Sequence, residues 1–352
     1  MPHFITKFFV GIKTIPDELS PKFLPSLNGL RAISILIVIY RHAFWLQLKK
    51  DSFLNGDFGV SIFFIVSGFL ITTLLLKEQI LKKTISLKNF FIRRALRILP
   101  LAYTYLLLLL ILDYFGLVKT PVSDYLSGFF FYHNWYTQTG YINHYWSLSV
   151  EEQFYIIFPF LLKQLKLKHY VLICISLAAL APVITYFSAH SVFWQDLFYN
   201  LRPLIKFQPI AIGSLMAIIM FTTTFSLQKY STIGIKLIVL GLAIAFYKIV
   251  LPAEINTLFF AAFMAIFIVL NLYNKKDFIF MLLNNRLLNY LGLMSYSLYI
   301  WQQLFTLNNM PWRNAFSFGD SIMLNLILLF IVSYISYNYY ERFFLRLKER
   351  FA

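Results

Sequence analysis

The sequence predicts an all-α fold, a polytopic membrane helical bundle, on three observations. The first is composition. Of 352 residues, 59% are hydrophobic and 13% charged, where soluble domains run near 45–50% and about 25%. The second is the recurrence of apolar runs long enough to cross a ~30 Å hydrocarbon core. Ten such runs follow one another at about 30–48, 58–77, 98–117, 146–165, 169–188, 204–221, 232–251, 256–273, 287–307 and 320–341. The third is the placement of charge. The net charge of +16 would point to nucleic acid in a soluble protein, but here lysine and arginine gather between the runs, as membrane topology requires. No nucleic-acid partner is expected.

The basic residues orient the spans. Lys77, Lys82, Lys83, Lys88, Arg93, Arg94 and Arg97 fall between the second and third runs, so that connection is expected on the cytoplasmic side. The N-terminus, two crossings earlier, is then cytoplasmic too, in keeping with Lys7, Lys13, Lys22 and Arg31. Lys163, Lys166 and Lys168 mark another inner turn, and Lys275, Lys276 and Arg286 a third. Arg342, Arg346, Lys348 and Arg350 put the C-terminus inside. Both termini are therefore expected to be cytoplasmic. Residues 123–140 are aromatic but too short and polar for a good span, and are read as a re-entrant or surface segment on the outer face. Lys49 and Lys50 then fall outside, a mild violation balanced in part by Asp51 and Asp57. The domain division is 1–24 as a cytoplasmic or interfacial segment, 25–345 as the membrane domain and 346–352 as a basic tail. Phe8-Phe9-Val10 is too short an apolar run for a cleaved signal peptide. The single cysteine, Cys174, excludes an internal disulfide and reads as packing.

The first run carries an arginine at one end and a histidine farther in. Arg31 and His42 are eleven positions apart, about three turns plus roughly 20°, so they share one helix face. Ionisable side chains in a span face protein or water and are functional candidates. On the fourth run Ser147, Glu151 and Tyr155 recur every four residues and share a face. Glu151 and His42 are expected at similar depth, where the carboxylate would fix the imidazole tautomer. Glu152 points roughly 100° away. Arg93, Arg94 and Arg97, on a helical turn, would form one cationic surface suited to phosphate, although arginines flanking a span usually set topology. Phe58-Gly59-Val60 through Ser67-Gly68-Phe69 reads as close helix packing. Ser295 to Gln303 brings hydroxyls and amides to the ninth run. Asp113, Lys206, Lys236 and Lys248 also lie in or near spans, the lysines expected to snorkel. No HExxH, P-loop or GxGxxG pattern occurs, so no metal site is expected.

These stretches, taken together, resemble the acyltransferase-3 family of integral membrane O-acyltransferases. Leu27-Asn28-Gly29-Leu30-Arg31 with His42 resembles that family's R-x10-H signature, and the second run its G-V-x-x-F-F-x-x-S-G-F segment. Phe91 to Pro100 resembles its R-x-x-R segment. Trp146-Ser147-Leu148-Ser149-Val150-Glu151-Glu152-Gln153-Phe154-Tyr155 is similar to its W-S-L-x-x-E-x-x-F-Y motif. Tyr340-Glu341-Arg342-Phe343-Phe344 resembles its closing E-x-P-F segment, with Phe343 in place of proline. Gln302 stands where many members have histidine and is given no acid-base role. The chain resembles the stand-alone type, without a fused esterase-like domain.

The resemblance implies transfer of an acyl group, usually acetyl, from cytoplasmic acetyl-CoA or another acyl-CoA to a hydroxyl of a carbohydrate acceptor (polysaccharide, oligosaccharide or glycolipid). The expected setting is a bacterial inner (plasma) membrane, with membrane lipid around the spans and no permanently bound cofactor. His42 would be the base or a transient acyl carrier, with Glu151 orienting it. Arg93, Arg94 and Arg97 would hold the CoA phosphates, and Arg31 would bind CoA or position the thioester. The competing class is a proton-coupled transporter of a glycan or lipid intermediate, since intramembrane His and Glu also serve proton relays. Against it, no paired Gly/Pro-broken spans occur in corresponding halves. A non-catalytic scaffold would leave Arg31, His42 and Glu151 without a purpose.

Overall fold

The structure is a computed structural model that describes residues 12, 14–44, 56–136, 140–188, 201, 203–223, 226–248, 253–273, 276–307 and 321–351. Expectations resting on Lys7, Phe8 to Val10, Lys13, Lys49, Lys50, Asp51, Lys275 and the Lys248 side chain lie outside the described residues. Among the described residues the chain is helical, without strands. The helices in order are α1 (Leu27–Ala43), α2 (Gly56–Lys82), α3 (Leu87–Tyr114), α4 (Val122–Phe129), α5 (Tyr145–Gln164), α6 (Leu167–Ser188) and α7 (Gln208–Thr222). There follow α8 (Ile233–Lys248), α9 (Ala253–Leu270), α10 (Phe278–Leu283), α11 (Arg286–Leu293), α12 (Ser295–Thr306), α13 (Ile322–Ile335) and α14 (Arg342–Glu349).

Five stretches among the described residues are long and apolar enough to cross a membrane: Gly56–Lys82, Leu87–Tyr114, Leu167–Ile184, Pro203–Thr222 and Ile322–Glu349. Helices α8 and α9 are apolar but shorter. The helical class is as expected, whereas the ten runs are not ten uniform helices. The run at 287–307 is two helices, α11 and α12, separated at Met294. Gly292 and the serines Ser295 and Ser297 lower helix propensity at that junction, since glycine is entropically costly and serine competes for backbone partners. The described part of 123–140 holds most of the eight-residue α4 and a short 3-10 turn, His133–Trp135, and no spanning helix.

The chain forms two compact units. One comprises Met1–Ser34, Val60–Ile85 and Ile157–Gly292; the other comprises Ile35–Gly59, Ser86–Ile156 and Leu293–Ala352.

In the first unit, α2 and α7 approach closely. A side chain at Gly68 would run into the carbonyl of Ile210, and one at Gly213 into that of Ile65, so only glycine permits this backbone contact. Nearby polar groups satisfy one another. The Thr72 and Ser214 hydroxyls bond each other, and Tyr170 Oη lies 2.8 Å from Ser214 Oγ. Cys174 is buried here as packing. The described part of the N-terminal segment is anchored: Leu19 is fully buried, and Lys77 Nζ donates to the Pro21 carbonyl at 2.9 Å. Lys236 departs from the snorkelling expectation. It is completely buried and pairs with Asp277 at 2.7 Å, because α8 places it against the carboxylate that caps α10 through the Phe280 amide. A buried ammonium needs such a partner.

In the second unit α3 begins earlier than the apolar run that announces it. Ser86 caps it by accepting from the Asn89 amide, so Arg93, Arg94 and Arg97 lie on the helix and not in a loop. Tyrosines tie this unit together. Tyr105 Oη donates to the Tyr141 carbonyl at 2.8 Å, and Tyr145 Oη to Ala102 at 2.6 Å. Tyr296 Oη donates to Ile98 at 2.7 Å. A π-helical turn, Ser336–Glu341, links α13 to α14 and brings the Glu341 carboxylate to Ser297 and Ser336.

Replacing Gly213 with valine should destabilise the protein by about 1–3 kcal/mol through overpacking against backbone. Gly234, with open space where a side chain would be, is the control: Gly234→Ala should be neutral or up to about 1 kcal/mol stabilising. Thermal melting in detergent compares the two, and equal melting temperatures would refute the close-packing account.

Candidate functional site

Most sequence-predicted site residues belong to the second unit. Helix α1 is continuous from Leu27 to Ala43, so Arg31 and His42 are on one helix as expected. Arg31 is on the part of α1 assigned to the first unit, His42 on the part assigned to the second.

The His42 imidazole has a defined hydrogen bond. Its Nδ1 lies 2.9 Å from the Val38 carbonyl one turn earlier. A carbonyl only accepts, so Nδ1 must carry the proton, and Nε2 is left as the basic nitrogen. The tautomer is therefore set by the backbone of α1 itself, where sequence reasoning expected Glu151 to set it. The acidic electrostatic neighbour of His42 is Asp57, in the first turn of α2.

On α5, Ser147 and Tyr155 are buried and Glu151 is half-buried. Tyr299 Oη donates to the His144 carbonyl at 2.9 Å, Ser147 Oγ lies 3.2 Å from the same carbonyl, and the two hydroxyls bond each other. Glu152, which sequence reasoning turned away from the site, is the more deeply buried acid, and its Oε1 has no hydrogen-bond partner among the described residues.

The three arginines of α3 have different partners, although all three are electrostatic neighbours of Lys348. The Arg94 guanidinium stands over the Tyr155 ring, 5.0 Å from its centre, with Glu152 and Glu151 among its electrostatic neighbours. Arg93 Nη1 donates to the Phe351 carbonyl at 2.6 Å. Arg97 is an electrostatic neighbour of Glu341. Their spacing turns Arg94 roughly 100° from Arg93, and the helices packed on α3 supply different partners on each side. Arg94 thus links the basic turn of α3 to the acidic turn of α5.

Two buried histidines were missed. His133 Nδ1 lies 2.7 Å from Ser127 Oγ. The His144 ring is 2% exposed and packs edge-on against Tyr105, Tyr145 and Tyr299. His144 stands seven positions before Glu151, nearly two turns of helix, and that register was the available signal. Gln302, completely buried, has an Oε1 without a partner among the described residues, beside the equally unpaired Trp301 Nε1.

A family model described as an acyltransferase domain, that of the acyltransferase-3 family, matches residues 24–338. The chain belongs to the acyltransferase-3 family. Among curated relatives, it is 27% identical over 323 residues to the O-acetyltransferase OatA of Staphylococcus aureus, covering 82% of this chain and 51% of that protein. It is 36% identical over 163 residues to the peptidoglycan O-acetyltransferase OatA of Listeria monocytogenes, covering 42% of this chain and 25% of that protein. The chain spans about half the length of the curated relatives it matches first. No solved structure matches it.

Burial pushes both His133 and His144 below the usual histidine range; the neighbouring Asp124 opposes this at His133, and His42 and His133 reinforce it at His144. Above about pH 6.5 both rings are neutral folded and unfolded, and stability is flat. Below it the unfolded chain takes up protons that the folded chain refuses, so stability falls by up to ~1.4 kcal/mol per pH unit for each ring. Melting curves from pH 7.5 to 5 should show that decline, and His133→Gln should make it shallower. An unchanged slope would place the acid-labile groups elsewhere.

Proposed function

We propose that this domain transfers an acetyl group from acetyl-CoA to a hydroxyl of a cell-surface or exported carbohydrate. Family membership and the O-acetyltransferase names of the relatives support the reaction class. The observation that carries the mechanism is the His42 Nδ1–Val38 carbonyl bond, which presents Nε2 as a base inside an apolar helix. The name of the Listeria relative supports a peptidoglycan glycan as the acceptor.

In the proposed reaction His42 Nε2 removes the proton of the acceptor hydroxyl as its oxygen attacks the thioester carbon. The new C–O bond forms and the carbonyl π electrons move to oxygen. Collapse of that intermediate expels the CoA thiolate, which takes the proton from the His42 imidazolium and leaves as the thiol. Asp57, the acidic neighbour of His42, stabilises the imidazolium electrostatically, and Glu151 orients the site through Arg94. Arg93, Arg94 and Arg97 bind the CoA phosphates, Arg93 exchanging the Phe351 carbonyl for a phosphate oxygen. Arg31 positions the thioester. The donor enters from the cytoplasm, where both termini lie, and the acceptor is met at or beyond the outer face of a bacterial plasma membrane.

The experiment is a thermal-shift titration with CoA and acetyl-CoA alongside an acetyl-transfer assay on peptidoglycan fragments. A ligand at ~100 times its Kd stabilises the folded protein by ~2.7 kcal/mol. Wild type should show a saturable shift, and Arg93/Arg94/Arg97→Ala should lose it. His42→Ala should keep the shift and lose transfer by at least a hundredfold. Folded wild type with no shift from either ligand would overturn the donor assignment, and His42→Ala with full activity would overturn the base.

A further inference from the structure

The described residues hold one imidazole whose ring nitrogens are both buried and both without a hydrogen-bond partner, that of His144. Buried polar side chains almost always find partners, and leaving such a group unpaired costs about 1–3 kcal/mol. His133 illustrates the ordinary arrangement, with Nδ1 bonded to Ser127. His144 is 2% exposed, so bulk water does not satisfy it.

Its placement is rigid. The Tyr299 hydroxyl fixes the main-chain carbonyl, and Ser147 braces Tyr299. Tyr105, 5.2 Å away centre to centre, and Tyr299, at 5.6 Å, hold the ring edge-on. The hydroxyl of Tyr105 is committed to the Tyr141 carbonyl and that of Tyr145 to Ala102, so these rings confine the imidazole without bonding it. Trp301, whose Nε1 is also unpaired, packs edge-on against Tyr105 at 5.8 Å. His42 is an electrostatic neighbour of His144 within the same unit.

We propose that His144 is a second catalytic residue of acyl transfer, donating its one N–H as a neutral imidazole to the carbonyl oxygen of the acetyl group as that oxygen becomes an oxyanion. The inference rests on the acetyl-transfer reading above. Burial and two neighbouring imidazoles keep the ring uncharged; the Ile300 backbone, near the ring but outside hydrogen-bonding geometry with either nitrogen, opposes them, so the ring acts as a hydrogen-bond donor and not as a proton source. Its proton stays on nitrogen throughout. His42 moves the acceptor proton, and the thiolate carries it away. A preorganised donor in a water-excluded site serves the transition state better than the ground state, where the carbonyl oxygen carries less charge.

The test measures acetyl-CoA-dependent acetylation of a muramidase digest of peptidoglycan, with acetyl-CoA thermal shifts on the same preparations. His144→Phe should lower kcat by 10²–10³-fold, the typical loss for one oxyanion donor. KM for acetyl-CoA and the thermal shift should stay within about threefold of wild type. His144→Gln, which restores an N–H at similar reach, should recover at least tenfold of that loss. The pH limbs of kcat should stay where wild type has them, since His144 does not titrate in the reaction. His144→Phe with kcat within threefold of wild type, or His144→Gln no better than His144→Phe, would overturn the proposal. Wild type that binds acetyl-CoA but transfers nothing would overturn the acetyl-transfer reading itself, and His144's role with it.

Discussion

A polar group buried away from water must be paired inside the protein, and this constraint governs the second unit. Its tyrosines answer the constraint with main-chain carbonyls: Tyr105 with Tyr141, Tyr145 with Ala102, Tyr296 with Ile98 and Tyr299 with His144. Each such bond contributes a net ~0.5–1.5 kcal/mol and costs more when broken, because a hydroxyl is then left stranded. All four bonds join different helices or join a helix to the segment before α5. The aromatic bodies bury apolar area while their hydroxyls set register. The first unit relies on bare backbone contact at Gly68 and Gly213 and on the buried Lys236–Asp277 pair.

Against that background the unpaired groups carry information. His144, Glu152, Trp301 and Gln302 all belong to the second unit, and each has a buried polar atom without a partner among the described residues. His42 stands in contrast: one ring nitrogen is tied to its own helix, and the other is the nitrogen that can do chemistry. A site that bonded all its own groups would have nothing to offer a substrate. Stability given up at a few positions, within a frame over-determined by tyrosine bonds, is the arrangement expected of a preorganised active site.

How legible the site was depends on the kind of residue. Arg31, His42, Glu151 and the basic turn of α3 stood out because charge within apolar runs is costly and so conspicuous. Which acid is buried, Glu151 or Glu152, was not readable, since adjacent residues differ only by roughly 100° of helix rotation and the packing of α5 decides between them. The partner of His42 Nδ1 was misjudged because a backbone carbonyl one turn away has no sequence signature. His144 stands just outside the fourth apolar run, where a histidine looks like an interfacial residue until Tyr105, Tyr145 and Tyr299 enclose it.

By itself the sequence determined the helical class, the apolar character of the chain and the family, because these follow from composition, from runs of membrane length and from five ordered motifs. Local signals also determined the small-residue packing of α2. Tertiary structure alone decided that one expected span is two helices meeting at Met294, that Lys236 is buried against Asp277, and that Arg93, Arg94 and Arg97 have separate partners. The physical reason is common to all three. Propensity and hydropathy sum over neighbours in the chain, whereas the fate of a charge or a helix junction depends on which distant groups arrive beside it.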